Sequence, residues 1–371
     1  MRVAVIGAFP FPYPQGSQVY AAAQARALVE VGARPTLITY ARGEGDPPQG
    51  VPLLRARPAP SLLRSGFSWA KPAADAALLH TYLAEHRRLR FDVALAHNAE
   101  AAAVALAARP FTRVPTVYVV HTLWCDELQS YGPARWSSAL DSAGGAIDRT
   151  LARRADAVIA LSEETQRRLG AVARGPVVRL PPGLDPMPAP DPARGAEACA
   201  RLGLRPGHFA LYCGNLDPYQ DLDLLAGAAR ISAVPIVAAT HDRRGADALP
   251  GLRCVEVGCF EEMRTLAFAA GVLVAPRQRA GGFPVKLLNY MEAARPIVAV
   301  AGAAGGLGDD AEAVLLPAGA DAGVLAAAVE ALVRDPERSQ RLGQAARGHL
   351  EKHHGTAELA RRTVELLEQI C

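Results

Sequence analysis

The residues with the clearest chemical potential lie in one segment, residues 280–299, which reads AGGFPVKLLNYMEAARPIVA. Glycine lets a ligand approach the backbone closely, and proline suits the first turn of a helix, where its missing N–H costs nothing. The free amides and the positive end of the helix dipole in such a turn favour anions. The spacing therefore predicts a diphosphate site formed by Gly281, Gly282, Phe283, Pro284 and Val285.

Polar side chains follow and precede this turn. Lys286 lies in the first turn of the predicted helix, where its ammonium can reach a phosphate as a mobile point charge. Asn289 lies three residues further along the same face and offers a donor and an acceptor to sugar or ribose hydroxyls. Arg277 and Arg279, ahead of the turn, can neutralise phosphate or stay solvated. The structural alternative for Lys286 is an exposed lysine beside a helix cap.

Other predicted ligand contacts come from loops that follow strands or precede helices. Gly16 and Ser17 precede a helix pattern and can face a phosphate or a second substrate. Gly214 and Gly258 each follow a strand pattern, which predicts close approach of the backbone to the ligand. The dinucleotide fingerprint GxGxxG is absent, and this argues against a nicotinamide enzyme.

Two histidines end predicted strands in the first half of the chain, His97 in AHNAE and His121 in VVHTLW. Histidine often serves as a general acid or base, although it can also simply cap a strand end. Glu100 follows His97, and Glu100, Asp126 and Glu127 are the nearby acids that could act as a base. We therefore expect His97, Glu100 and His121 on one side of an active site.

No sequence pattern predicts a metal or a cofactor. Asp221 and Asp223 form a DxD string of the kind that can bind a metal, but the string opens a helix pattern, where the dipole favours acids. The six cysteines are scattered, without a CxxC pair or a Cys/His cluster at zinc spacing. We expect reduced structural thiols, no metal and no cofactor.

Two sets of strands and helices must position these residues. Short apolar, β-branched runs alternate with helical patterns, which indicates buried parallel strands in βαβ units. The runs are residues 2–7, 34–40, 92–97, 115–120 and 156–162, then 209–214, 235–240, 271–276, 296–301 and 313–318. The sequence predicts an α/β fold with two doubly wound Rossmann-like domains facing each other across a cleft, with the ligand at the carboxyl ends of the strands.

The domain boundary is predicted at LPPGLDPMPAPDPARG, in which six prolines and two glycines disfavour helix and sheet. We assign residues 1–182 to the first domain, 183–192 to the linker and 193–355 to the second domain, which carries the diphosphate site. Residues 356–371 have an amphipathic spacing, and we expect them to pack back on the first domain.

The bulk composition narrows the class of protein further. A net charge of +3 predicts no nucleic-acid partner. No apolar run is long enough to span a bilayer and the chain begins with a strand pattern rather than a signal peptide, so we expect a cytoplasmic protein. Arg64, Phe67, Trp69 and Lys71 form a basic aromatic patch that could make peripheral contact with the inner membrane face; a loop packed on the core is the alternative.

Several stretches, in this order and spacing, make the chain resemble the family-four glycosyltransferases (glycosyl transferases group 1) and their GT-B relatives. They are GSQVYAAAQARALVEVGARPTLITY, RRADAVIALSEETQRRL, VVRLPPGLDP, FALYCGNLDPYQDLDLLAGA, and VEVGCFEEMRTLAFAAGVLVAP, which leads into residues 280–299. The resemblance implies a GT-B fold whose C-terminal domain binds a nucleoside-diphosphate-sugar. It implies a hexosyltransferase-type enzyme that acts in glycan, polysaccharide or glycolipid biosynthesis.

The resemblance also carries expectations about the reaction. It implies transfer with retention to a sugar, a lipid-linked sugar or a small molecule. His121 matches a position where the family keeps a histidine near the acceptor and the transferred sugar. His97, Glu100 and His121 would then lie on the acceptor side.

The chain departs from that family at the donor motif. The two usual glutamates, separated by seven residues, fall on Gly281 and Asn289, and the usual basic pair falls near Asn215 and Gln220. Lys286 with an amide at Asn289 resembles the variant of some GT-B glucuronosyltransferases, and Asn215 is kept as a donor contact. Because the two usual glutamates are absent, transfer with inversion at the anomeric carbon stays open. They also leave open a catalytically silent nucleotide-binding partner protein or a GT-B sugar-nucleotide epimerase.

Overall fold

The structure is a computed structural model that describes residues 1–13, 15–40, 43, 47–57, 71–131, 137–241, 245–279 and 282–371. The chain forms two compact units. Unit 1 comprises Met1–Gly183, Ala280–Phe283 and Thr356–Cys371, and unit 2 comprises Leu184–Arg279 and Pro284–Gly355. Each unit is an α/β domain with its own sheet.

The sheet of unit 1 has seven parallel strands in the order β3-β2-β1-β4-β5-β6-β7. Their bounds are β1 Arg2–Pro10, β2 Arg34–Tyr40, β3 Leu53–Ala56, β4 Val93–His97, β5 Thr116–Val120, β6 Ala157–Ala160 and β7 Val177–Arg179. The five predicted runs form β1, β2, β4, β5 and β6, because a parallel sheet buries apolar side chains on both faces. The apolar-run criterion misses the edge strands β3 and β7, which are short and carry arginine.

Helices flank this sheet, and one of them comes from the end of the chain. Their bounds are α1 Gly16–Glu30, α2 Lys71–Leu89, α3 Ala99–Thr112, α4 Trp124–Tyr131, α5 Ser137–Arg154, α6 Glu163–Gly170 and α13 Thr356–Ile370. The last of these packs against α1, where Gln24 Nε2 donates to Thr363 Oγ1 at 3.2 Å and both side chains are buried. The C-terminal helix is therefore part of unit 1.

The sheet of unit 2 has six parallel strands in the order β10-β9-β8-β11-β12-β13. The strands are β8 Ala210–Cys213, β9 Ile236–Thr240, β10 Arg253–Glu256, β11 Val272–Ala275, β12 Ile297–Val300 and β13 Val314–Leu316. The helices are α7 Pro192–Arg201, α8 Leu222–Ile231, α9 Phe260–Ala269, α10 Lys286–Glu292, α11 Ala322–Arg334 and α12 Pro336–His353. The sequence RCVE of β10, at the sheet edge, begins and ends with a charged residue and has only two apolar residues between them, so an apolar-run criterion does not find it.

In both sheets the strand order reverses between two neighbours, β1 and β4 in unit 1 and β8 and β11 in unit 2. The chain leaves such neighbouring strands in opposite directions, so their carboxyl ends border a crevice that binds ligands in doubly wound folds. This topology confirms the predicted α/β class with two doubly wound sheets.

The proline-rich stretch has no helix or strand before α7 and is anchored to unit 2. Leu184 N donates to His354 O at 2.8 Å, and Met187 N donates to Glu292 Oε1 at 2.9 Å. Arg264, 3% exposed, donates to both carboxylate oxygens of Glu292 at 3.0 Å and to the carbonyls of residues 187 and 188. A buried ion pair thus fixes the start of unit 2.

Candidate functional site

The carboxyl ends of β8 and β11 in unit 2 surround the ammonium of Lys286. Nζ lies 3.8 Å from the centroid of the Tyr212 ring and donates to Gln220 Oε1 at 2.8 Å. Burial lowers the pKa of Lys286 well below its usual value, and the positive charge of Arg277 lowers it further. The Lys286 ammonium is therefore held on the face of the Tyr212 ring. The sequence analysis had instead suggested a mobile charge.

Amide side chains occupy the positions where the resemblance places a basic pair. Gln220 Nε2 donates to Asn215 Oδ1 at 3.1 Å, and Tyr212 Oη donates to the Asn215 carbonyl at 2.6 Å. Gln220 contacts Lys286 directly and Asn215 contacts Gln220, so the groups next to the lysine here are neutral amides. The sequence draws attention to this place, but it does not show that Gln220 reaches a lysine 66 positions away.

Gly214 provides the space for the lysine. Its φ is +146°, and a Cβ at this position would lie 3.1 Å from both Lys286 Nζ and Tyr212 Oη. Gly258, by contrast, follows the edge strand β10, two strands away from β8, and its N–H donates to Glu262 Oε2 at 2.9 Å. Gly214 therefore lies beside Lys286, whereas the Gly258 N–H is hydrogen-bonded to Glu262 near the start of α9.

The loop after β11 carries a second cation, and this one is buried. Arg277 is 7% exposed, and its guanidinium carbon lies 5.7 Å from the centroid of the Tyr219 ring, so it is not a solvated arginine. The next amide, Gln278 N, donates to Asp221 Oδ2 at 2.8 Å. Asp221 thus orients this loop, and Asp223 lies in the first turn of α8. Within the described ranges, no three His, Cys, Asp or Glu side chains are grouped to hold a metal ion.

The helix after the glycine turn differs from the prediction. It begins at Lys286, two residues after Pro284, and has only seven residues. Leu287 N and Leu288 N donate to the carbonyls of Pro284 and Val285, so these early amides are already used. The short helix and the occupied amides reduce the contribution that the helix start could make to the predicted anion site. Asn289 is half-buried one turn later.

Gly282 packs on the backbone beside His121 in unit 1. It pairs with Thr122 in an isolated antiparallel bridge, and a Cβ on it would lie 2.2 Å from the His121 carbonyl oxygen. Only glycine allows this approach. Phe283 beside it is buried, whereas Gly281 lies outside the described residues.

The two predicted histidines meet in unit 1. His97 is in register with Val119, two residues before His121, so the side chains project from the same face of neighbouring strands. His97 Nδ1 and His121 Nε2 are 3.0 Å apart, and the two rings are 0% and 8% exposed. The ring of Tyr20 packs edge-on against both, with its hydroxyl donating to the Leu180 carbonyl.

Both imidazoles are expected to stay neutral in solution. Burial lowers the pKa of His121 to about 3, and burial with the neighbouring imidazole lowers the pKa of His97 well below its usual value. We expect the NMR signals of these two rings not to titrate between about pH 5 and 9, with the exposed His80 as the comparison signal. A midpoint near 6.5 for either ring would contradict the burial argument.

The other acceptor-side residue, Glu100, is engaged in an ion pair. Its Oε1 lies 2.6 Å from Lys71 Nζ, and both side chains are mostly buried. Asp126 Oδ1 lies 3.5 Å from Arg168 Nη1. Two of the candidate bases are therefore paired with cations. The remaining members of the basic aromatic patch, Arg64, Phe67 and Trp69, lie outside the described residues.

Gly16 and Ser17 are the first two residues of α1, and Gly16 is exposed. The loop that leads to them is closed by the buried Gln18, whose Nε2 donates to the Pro10 carbonyl at 3.4 Å. Because this loop follows β1, it lies at the carboxyl end of the strand next to β4, which ends in His97. Topology therefore places Gly16 and the histidines on the same edge of the unit 1 sheet.

Comparisons with known proteins agree with this architecture. Residues 14–187 match the family model described as Glycosyltransferase Family 4. Similar solved structures include a sucrose-phosphate synthase from Thermosynechococcus elongatus, with 19% identity, coverage of 100% of this chain and 98% of that chain, and a TM-score of 0.81. HepE from Anabaena, crystallised with UDP-glucose, has 15% identity, covers 100% of each chain and has a TM-score of 0.75. No curated protein sequence matches the chain.

A third similar structure is WaaG, a glycosyltransferase involved in lipopolysaccharide biosynthesis, with 14% identity, coverage of 98% of this chain and 99% of that chain, and a TM-score of 0.70. The fold is that of the GT-B glycosyltransferases. Together with the family match over residues 14–187, this shows that the chain has the GT-B fold and that its first half is similar to family four. In the part of the chain that is described, no helix is long and apolar enough to cross a membrane.

Proposed function

We propose that the protein transfers a sugar from a nucleoside-diphosphate-sugar to an acceptor hydroxyl without a metal ion. The observation that carries the proposal is a pair of cationic side chains at the carboxyl ends of β8 and β11, the half-buried Lys286 and the buried Arg277. The hydrogen-bond acceptor of Lys286 is a neutral amide, so this contact leaves the lysine charge available to an anion. Two cationic side chains beside the crevice of a doubly wound sheet suit a diphosphate.

The cations would act on the leaving group. In the transfer, the bond between the anomeric carbon and the diphosphate oxygen breaks, and a bond from that carbon to the acceptor oxygen forms. The negative charge that develops on the departing diphosphate is stabilised by Lys286 and Arg277, and the acceptor hydroxyl gives its proton to an oxygen of that diphosphate. Such fixed donors lower the barrier because they need little rearrangement as the charge develops.

A uridine diphosphate sugar is the first donor class to test. HepE, one of the similar structures, has been crystallised with UDP-glucose and with UDP. We propose acceptors of the kind used in glycan, polysaccharide or glycolipid biosynthesis. We also propose retention at the anomeric carbon, the outcome that the resemblance implies; two of the three candidate bases for an inverting reaction, Glu100 and Asp126, are paired with cations.

Product analysis tests this function. The protein is incubated with UDP-sugars, with and without sugar and lipid-linked acceptors, and the anomeric configuration of the product is read by NMR. Transfer with retention is the expected result. A changed sugar nucleotide formed without an acceptor would indicate an epimerase, and nucleotide binding without turnover across the panel would indicate a silent partner protein.

Binding of UDP is expected to be accompanied by proton uptake. Burial lowers the pKa of Lys286, and the negative charge of a bound diphosphate is expected to raise that pKa again, so that binding takes up protons where the free lysine is partly deprotonated. Titration calorimetry in buffers with different ionisation enthalpies measures the uptake between about pH 7 and 9. The variant Lys286→Gln should show none. Equal uptake by this variant and the wild type would exclude Lys286 as the diphosphate ligand.

A further inference from the structure

A chain of hydrogen bonds joins the Lys286 ammonium to a carboxylate. Lys286 Nζ donates to Gln220 Oε1 at 2.8 Å, and Gln220 Nε2 donates to Asn215 Oδ1 at 3.1 Å. Asn215 Nδ2 in turn donates to Asp217 Oδ2 at 2.5 Å. We call these four residues the amide relay.

The direction of the amide relay is determined from both of its ends. An ammonium can only donate, so Gln220 must turn its oxygen toward Lys286 and its NH₂ group away. A carboxylate can only accept, so Asn215 must turn its NH₂ group toward Asp217 and its oxygen away. The two requirements meet in one consistent bond between Gln220 and Asn215. The donor and acceptor chemistry of the two ends therefore determines both amide orientations.

One short turn holds the relay together. Gln220 N donates to the Asp217 carbonyl at 3.0 Å, which closes the turn Asp217–Gln220. Tyr219 Oη accepts a second bond from Asn215 Nδ2 at 3.0 Å, and Tyr212 Oη fixes the Asn215 backbone. Gln220 is 7% exposed. Three of the four members therefore come from six consecutive residues, and the arrangement has little freedom to rearrange.

The relay aligns two amide dipoles between a cation and an anion. Hydrogen bonds in such a chain polarise one another, so the negative charge of Asp217 acts on the ammonium through Asn215 and Gln220. The ammonium has three donors and Gln220 takes one of them, which leaves donors for phosphate oxygens. We propose that Asp217 is a positioning residue that, through the amide relay, holds the Lys286 ammonium ready for the donor diphosphate. This inference rests on the function proposed above.

Other groups around Lys286 act in both directions. Burial and Arg277 oppose the charged lysine, whereas the carboxylate of Asp217 and the buried thiol of Cys213 favour it. The phenol of Tyr212 lies beneath the ammonium and has a pKa that burial raises well above its usual value, so it stays neutral. The relay is therefore the route by which a carboxylate reaches the ammonium through hydrogen bonds.

The titration of Lys286 tests the relay directly. The chain has only three lysines, so lysine labelled with ¹³C at Cε gives three NMR signals, with Lys71 and Lys352 as internal references. Asp217→Asn is expected to lower the midpoint of the Lys286 signal by about 0.5 to 1 pH unit. Gln220→Leu, which interrupts the relay at another member, should do the same, and Gln220→Glu should raise the midpoint.

A control and a binding measurement complete the experiment. Asp223→Asn removes an exposed carboxylate from the same unit and should leave the Lys286 midpoint unchanged. Asp217→Asn should weaken UDP binding about 5-fold. An unchanged midpoint in both Asp217→Asn and Gln220→Leu would overturn the relay. Absence of binding of UDP, GDP, ADP and TDP by the wild type would overturn the proposed function, while the nucleotide-free titration would still decide the relay.

Discussion

Replacement of Lys286 by alanine is expected to reduce the rate of sugar transfer by roughly 10²- to 10³-fold, the usual effect of removing one preorganised group that stabilises developing charge. The lysine lies near the carboxyl ends of β8 and β11, where the strand order of the unit 2 sheet reverses, and its hydrogen-bond acceptor, Gln220 Oε1, is neutral. The exposed Lys352 in α12 provides a matched control, because Lys352→Ala also removes one of three lysines. Initial rates with a UDP-sugar measure both variants. Equal rates for Lys286→Ala and Lys352→Ala would contradict the role.

We also expect Lys286 to lower the free energy of unfolding of the protein. A group whose pKa is lowered on folding binds its proton more tightly in the unfolded chain, so the charged form opposes folding. This penalty is full at low pH and vanishes as the pH approaches about 10.4, the unfolded value. Lys286→Met should therefore raise the melting temperature at pH 7 by about 2 to 4 °C per kcal/mol recovered, and less at pH 10. Loss of activity with a gain in stability would separate function from folding.

Replacement of Glu292 by alanine is expected to lower the free energy of unfolding of unit 2 by about 3 to 5 kcal/mol, because it leaves the Arg264 guanidinium buried without its counter-ion. Glu292 is 0% exposed and accepts from two guanidinium nitrogens and from Met187 N. Denaturant unfolding measures the change.

Glu261 gives the matched control for this ion pair. Its carboxylate lies 3.9 Å from the same guanidinium but is 65% exposed, so Glu261→Ala should cost less than about 1 kcal/mol. Similar losses for Glu261→Ala and Glu292→Ala would show that burial does not control the strength of this pair.

The strands of the fold follow from the sequence where both faces of a strand are buried. VAVIG in β1 and VLVA in β11 are continuous apolar runs, and their alternation with helices determines a doubly wound class. The edge strands β3, β7 and β10 include arginine because solvent reaches them, so their patterns resemble those of loops. Their pairing depends on the neighbouring strand rather than on their own composition.

The sequence singles out the candidate reactive residues of the site, but it does not predict the residues to which they are hydrogen-bonded. Lys286 and the histidines stand out by type and by place after strands. Gln220 and Asp217 do not, because a relay of neutral amides has no sequence signature and forms only when the turn after β8 meets α10. The length of α10 was also missed, since the hydrogen bonds at its start depend on local geometry.

The packing of α13 on α1 affects how unit 1 forms during synthesis. The first 183 residues of the chain emerge early, but the helix that covers Gln24 is translated only after the whole of unit 2. Until residues 356–370 are available, the face of α1 that carries Gln24 stays exposed to solvent, and the Gln24 amide lacks its contact with Thr363. The folding of unit 1 can therefore begin before unit 2 is synthesised but is completed only after it. A fragment ending at Gly183 is expected to need α13, supplied as a separate peptide or fused to it, to fold stably.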